Sequence, residues 1–140
     1  MRGRPFVDTN VLVYAITGPG PDSGKARRAR ELLRGGTVCL STQVLGEFYN
    51  AATSPRRAVP LTHEEAVLWL QVWKRHDVRA ITQIHVDLAL EVRERCQIGY
   101  YDALIVASAR LAGSAVLYSE DLNHGQDYGS IRVENPFRKD

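Results

Sequence analysis

Asp8, Glu47, Asp102 and Asp121 lie far apart along the chain, yet each stands in mostly apolar sequence where a strand ends or a helix is entered. Carboxylates are seldom buried without a cation beside them. Two unit charges about 4 Å apart repel by about 4 kcal/mol at an effective dielectric of 20. Several such pairs would rival a domain's whole stability of about 5–15 kcal/mol. Four acids in these settings are therefore partly protonated, or never meet, or share a cation. Carboxylate oxygens select hard ions, Mg²⁺ or Mn²⁺. Such ions activate water and stabilise a leaving oxygen, which suits phosphodiester hydrolysis.

Each acid taken alone has a plainer reading. Asp8 follows Phe6-Val7 and could simply cap a helix beside a strand. Glu47, amid Val44, Leu45, Phe48 and Tyr49, could be a solvated helical acid. Asp102 opens an apolar helix, where the N-terminal partial charge favours a carboxylate. Asp121 could be a turn residue, and Glu120 and Asp127 are close alternatives to it. The joint pattern is what argues for one convergent metal site.

Other chemistries find little support. No serine or cysteine is paired with a histidine in a way that suggests acyl transfer. Neither G-x-x-x-x-G-K-[ST] nor G-x-G-x-x-G follows the first strand. His63, His76, His85 and His124 lack zinc-ligand spacing. Cys39 and Cys96 read as reduced, core or near-core thiols.

Short apolar strands must place these acids. Pro5–Val7, 37–40, 78–81, 115–118 and 131–133 are β-branched and apolar enough to be buried strands. Between them run helical patterns. Thr9 or Asn10 caps the first, and the loop 18–22 breaks it. Ser23 starts a basic helix to Arg34, stopped by Gly35-Gly36. Ser41 or Thr42 caps a helix over 43–53. Thr62 and Glu65 form a capping box for the next. Thr82 caps another, which Gly99 interrupts. Residues 100–111 form a helix so apolar that it must be buried on most sides. Strands alternating with helices predict an α/β fold, a mostly parallel sheet with helices on both faces. Ligands bind such sheets beyond the carboxyl ends of the strands.

The 140 residues suit a single domain over 1–140, with 44% apolar and 24% charged residues. A net charge of +2 is compatible with a nucleic-acid partner without requiring one. The N-terminus has no apolar signal core. No apolar stretch approaches the ~20 residues of a membrane helix, so a cytoplasmic protein is expected.

These residues resemble the PIN-domain ribonucleases, specifically the VapC-type toxins of toxin–antitoxin pairs. The matching segments are Phe6-Val7-Asp8-Thr9-Asn10, Ser41 to Phe48, Tyr101 to Ala109 and Ser119 to Gln126, with Val133 to Phe137 similar to the family's ending. Each motif is weak alone; the ordered set is specific. The resemblance implies a three-layer α/β/α fold of about five strands and Mg²⁺- or Mn²⁺-dependent endoribonuclease activity. Asp8, Glu47, Asp102 and Asp121 would be the catalytic quartet, with Asp8 and Asp102 the direct metal ligands. Thr9, Asn10 and Ser119 would be polar supports.

The resemblance also implies a homodimer and a cognate antitoxin. The antitoxin would lay a helix in an apolar groove lined by the helix over 43–53 and by Phe48, Tyr49 and Trp69. Plain core packing of those aromatics is the alternative. An acidic site repels an anionic substrate, so nearby positive charge is needed, and Arg27, Arg28, Arg56 and Arg57 are expected to flank the RNA path. The competing readings are a PIN-type nuclease without a toxin role, an inactive RNA-binding module, and an aspartyl phosphotransferase. The last is weakened because no second aspartate lies two residues after Asp8.

Overall fold

The computed structural model describes residues 3–138. The strands are β1 (Phe6–Val7), β2 (Cys39–Ser41), β3 (Asp77–Arg79), β4 (Val116–Tyr118) and β5 (Arg132–Glu134). The helices are α1 (Thr9–Ala15), α2 (Ser23–Arg34), α3 (Thr42–Ala52), α4 (His63–Trp73), α5 (Gln83–Cys96) and α6 (Tyr100–Leu111). The strands form one sheet in the order β3-β2-β1-β4-β5, and every neighbouring pair is parallel. The chain builds outward from β1 to β3, then crosses back to β4. With right-handed crossovers, that reversal puts α1–α4 on one face and α5–α6 on the other. The result is the expected three-layer α/β/α fold.

The strands are short, and both faces of the sheet are covered. Phe6, Val7, Leu40, Leu117 and Val133 are fully buried. The helix α6 is buried continuously from Ala103 to Ala109, as its apolar sequence requires. It ends at Ala112, and Gly113 turns away in the left-handed region at φ +75°.

Most strand bounds shift by one or two residues from those the sequence suggests, and three differences have a visible cause. Asp8, rather than Thr9 or Asn10, caps α1, its carboxylate accepting the Thr9 N–H at 2.7 Å. The strand β3 begins at Asp77, one residue earlier than the apolar run. The Asp77 N–H bonds the Val38 carbonyl, and its carboxylate holds Arg79. The helix α5 stops at Gln97, which takes a left-handed conformation (φ 56°), so Gly99 serves as the cap of α6 instead. Elsewhere the caps agree. Ser41 caps α3, accepting the Val44 N–H at 3.3 Å, and the Thr62–Glu65 capping box is present.

Candidate active site

The chain order reverses beside β1, between β2 and β4, and all the strands point their carboxyl ends the same way there. Asp8 leaves β1 at that end, and Ser119 to Asp121 leave β4. A helix from each side completes the opening: α3 supplies Glu47, and the first turn of α6 supplies Asp102. A cleft of about 460 Å³ results. Asp8, Thr9, Asn10, Glu47, Asp102 and Asp121 all line it, with Val13, Tyr14, Ala51, Tyr101 and Ile105 as the remaining wall. Four acids separated by up to most of the chain length thus share one cavity whose lining, among the described residues, contains no lysine, arginine or histidine.

Hydrogen bonds fix three of the acids. Asp8 is only 4% exposed. One of its oxygens accepts the Thr9 N–H at 2.7 Å, and the other accepts the Ser119 hydroxyl at 2.7 Å. Ser119 in turn accepts the Asp121 N–H at 3.1 Å. The Asn10 side-chain amide donates to Asp121 at 3.1 Å. Across the cleft, the Thr9 hydroxyl donates to Glu47 Oε1 at 2.7 Å. Thr9 therefore links Asp8 to Glu47, Ser119 links Asp8 to the Asp121 backbone, and Asn10 holds the Asp121 carboxylate.

Gln43 is a fourth support that sequence reasoning missed. Its side-chain amide donates to Glu47 Oε2 at 3.2 Å and to the Tyr101 carbonyl at 3.1 Å. It ties α3 to the start of α6. Its spacing four residues before Glu47 on a helix is the signal that could have found it.

The electrostatics follow from burial without a counterion. Desolvation pushes the Asp8 carboxyl up to about 6, against the lowering pull of its bonds from Ser119 and Thr9, and the charges of Asp121 and Glu47 push it further. Asp102 is likewise raised, first by burial and then by Asp121 and Glu47. The carboxylates therefore act on one another across the cleft.

Position decides among the neighbouring acids. The Glu120 carboxylate is held by Lys25 and by the Tyr14 hydroxyl, outside the cleft lining. Asp127 lies in a different surface depression, with Ser130 and Arg132. Of the three candidates, Asp121 is the one in the cleft.

The arginines separate in the same way. Arg57 is half-buried and donates to the Ile16 carbonyl at 3.3 Å, bracing the end of α1 rather than facing the cleft. Arg56 is exposed on the loop after α3, and Arg27 is exposed on α2. Arg28 reaches the Pro136 carbonyl at 3.3 Å. None of the four lines the acidic cleft. Phe48 is wholly buried, edge-on to Trp73 at 5.7 Å, so it is core and not groove. Trp69 and Tyr49 are half-buried.

The donor set fits a hard divalent ion: four carboxylates, that of Asp8 desolvated, with no cationic side chain among the described residues of the lining to neutralise them. Among the described residues, no group of three or more His, Cys, Asp or Glu side chains is preassembled in metal-ligating geometry. The fit rests on donor chemistry and charge.

The PIN-domain family model matches residues 6–126, which spans β1 to the loop after β4 and includes all four cleft acids. The chain belongs to the PIN-domain family. Solved structures share this PIN fold over nearly its whole length. A DNA-bound VapBC from Salmonella typhimurium superposes with a TM-score of 0.70 at 20% identity, covering 95% of this chain and 98% of that one. A toxin–antitoxin complex from Klebsiella pneumoniae gives 0.68 at 19% identity, with coverage of 95% and 98%. The sarcin-ricin-loop-cleaving toxin VapC20 of Mycobacterium tuberculosis gives 0.62 at 23% identity, with coverage of 84% and 89%. No curated protein sequence is significantly similar to the chain. Among the described residues of this PIN domain, no helix is long and apolar enough to cross a membrane.

Proposed function

We propose that this PIN domain is a Mg²⁺- or Mn²⁺-dependent endoribonuclease and the toxin of a toxin–antitoxin pair. The observation that carries the reading is the cleft itself, four carboxylates and, among the described residues, no cationic side chain at the switch point of a parallel sheet. Asp8 and Asp102 would hold the ion. Bound there, it would supply the positive charge that activates water and stabilises the leaving oxygen of a phosphodiester. Ser119 and the Thr9 N–H orient the Asp8 carboxylate. Thr9 and Gln43 orient Glu47, which can accept a proton from water in the cleft. Asn10 fixes Asp121. Together these bonds keep the carboxylate oxygens aimed into the cleft.

The toxin role, the RNA substrate, a cognate antitoxin and a second copy of the chain are proposed from the likeness to VapC and VapBC structures. Incubation with total RNA and Mn²⁺, with and without EDTA, tests the activity. Cleavage by the wild type that is lost with EDTA and in Asp8→Ala supports it. Equal cleavage by Asp8→Ala would exclude this cleft as the active site. Single-stranded DNA run in parallel separates a ribonuclease from a general nuclease.

A further inference from the structure

The acids account for only part of the cleft they share. Val13, Tyr14, Ala51, Tyr101 and Ile105 give it an apolar wall, which an ion held by carboxylates does not need. Among the described residues of the lining there is no cation to grip a phosphate. A strand that brings a phosphate to these acids gains contact there through the ion and through its own uncharged parts. We propose that Tyr101 is a stacking platform for a nucleobase beside the scissile phosphate, so that the substrate is a single-stranded segment with that base turned out. This inference rests on the nuclease reading above and names the substrate class and a positioning residue of the same site.

The exposure of Tyr101 is unlike that of the other apolar side chains. Of the large ones left strongly exposed among the described residues, Val59, Leu68, Ile84, Leu90 and Leu111 are aliphatic and lie outside the cleft lining. Tyr101 is aromatic, lies in the lining and is 66% exposed. Its neighbour Tyr100 packs on the core, and the two rings meet edge-on at 5.1 Å with their planes 79° apart. Tyr100 thus braces the Tyr101 ring without covering it.

The backbone that carries the ring is fixed relative to the acids. Tyr101 directly precedes Asp102 in the first turn of α6. The Gln43 amide bonds both the Tyr101 carbonyl, at 3.1 Å, and Glu47, at 3.2 Å. One side chain therefore ties the stacking ring's backbone to a carboxylate on the facing helix. Tyr14, the other aromatic of the lining, is engaged: its hydroxyl donates to Glu120 at 2.7 Å and its ring meets Phe137 at 4.8 Å. Tyr14 is wall, and Tyr101 is open surface.

The chemistry of the occupant follows. Aromatic side chains hold nucleobases by stacking, whatever the sequence, because every base has a π-face. A duplex presents its bases already paired and stacked, so a base reaches Tyr101 only from a single strand, a loop or an end.

The test is fluorescence anisotropy of a labelled single-stranded oligoribonucleotide in EDTA, joined to cleavage kinetics in Mn²⁺. The proteins are the wild type, Tyr101→Leu and Tyr101→Phe. Leucine keeps apolar bulk and helix propensity but removes the ring, and phenylalanine keeps the ring. Thermal melting is the folding control. One stacked base is worth about 5–150-fold in affinity. Tyr101→Leu is expected to bind at least about fivefold more weakly and to raise KM with little change in kcat, and Tyr101→Phe to restore both. An abasic site at one position of the oligonucleotide should weaken wild-type binding as much as Tyr101→Leu does, and should add nothing to that variant.

Equal affinity and KM in all three proteins would overturn the proposal and leave the nuclease standing. An equal loss in Tyr101→Leu and Tyr101→Phe would also overturn it, because the hydroxyl and not the ring would then be in use. So would a duplex of the same sequence that binds as tightly as the single strand. So would sedimentation in which Tyr101→Leu turns a dimer into a monomer, because the ring would then pack against a second copy. If affinity follows the ring but Mn²⁺ induces no cleavage by the wild type, the nuclease reading fails and the stacking site stands. A wild type that neither binds nor cleaves RNA would overturn both.

Discussion

Glu120 and Asp121 are chemically alike and adjacent, yet they belong to opposite electrostatic environments. Partial burial alone would raise the Glu120 carboxyl, but Lys25 and the Tyr14 hydroxyl hold it below its usual range. Asp121 turns to the cleft, where Asp8, Glu47 and Asp102 offer only like charge, and its field raises Asp8 and Asp102. In the first corner the protein completes its own ion pair. In the second it sets carboxylates beside one another without a cationic partner among the described residues, and burial of Asp8 and Asp102 raises both.

The most severe test of that contrast is activity. Asp8→Ala or Asp102→Ala should reduce Mn²⁺-dependent RNA cleavage to background, whereas Glu120→Gln should leave Mn²⁺ affinity, read by calorimetric titration, at the wild-type value. If Glu120→Gln weakened Mn²⁺ binding as much as Asp102→Ala, the two corners would not be separate.

The next effect is on stability and has a defined sign. Folded Asp8 keeps its proton to about pH 6, against an ordinary value of 3.8. Below both values the group costs nothing; as pH rises between them the unfolded chain loses the proton first, so folding stability falls. The full loss is about 3 kcal/mol, from roughly 1.36 kcal/mol per pH unit. Metal-free protein should therefore melt on the order of 10 °C lower at pH 7 than at pH 4 from this group alone. Asp8→Asn should flatten that part of the profile, and Mn²⁺ should raise the pH 7 melting point of the wild type only. A profile that rises through this window in the same way for both proteins would refute the uncompensated charge at Asp8.

Smaller effects should come from the side chains that aim the acids. Ser119→Ala, Thr9→Val and Gln43→Leu each remove a hydrogen bond to a carboxylate without removing the carboxylate. Losses of about 10–100-fold in metal affinity or cleavage are expected. Wild-type rates in all three would show that the acids need no support. The least effect belongs to the completed corner: Lys25→Met should destabilise by no more than about 1 kcal/mol in denaturant unfolding, because the Lys25–Glu120 pair is partly solvated.

Much of the acid cluster is legible because strand ends are readable. Phe6-Val7 and the run before Tyr118 are short and apolar, so Asp8 and Asp121 fall at carboxyl ends of strands, where α/β sheets bind ligands. The apolar helix after Tyr100-Tyr101 places Asp102 in a first turn. The α1 cap is misread because Thr9 and Asn10 have good cap chemistry, and only the backbone at Asp8 shows which residue is extended. Gly99 resembles the end of α5, but Gln97 takes the left-handed turn two residues earlier, a conformation that side-chain type does not announce. The direction of an arginine is not legible in the sequence, because a guanidinium reaches far enough to serve either solvent or a distant carbonyl, as Arg57 does at Ile16.

The chain's own order of residue types determined an α/β fold, a parallel sheet and a set of acids at strand ends and helix starts, because those follow from local periodicity and capping. Tertiary structure alone decided which acids face one another, and that Glu120 lies outside the cleft lining while Gln43 bonds Glu47. Those outcomes depend on which way side chains point across gaps between β1, β4, α2, α3 and α6, and no spacing along a single segment encodes that direction.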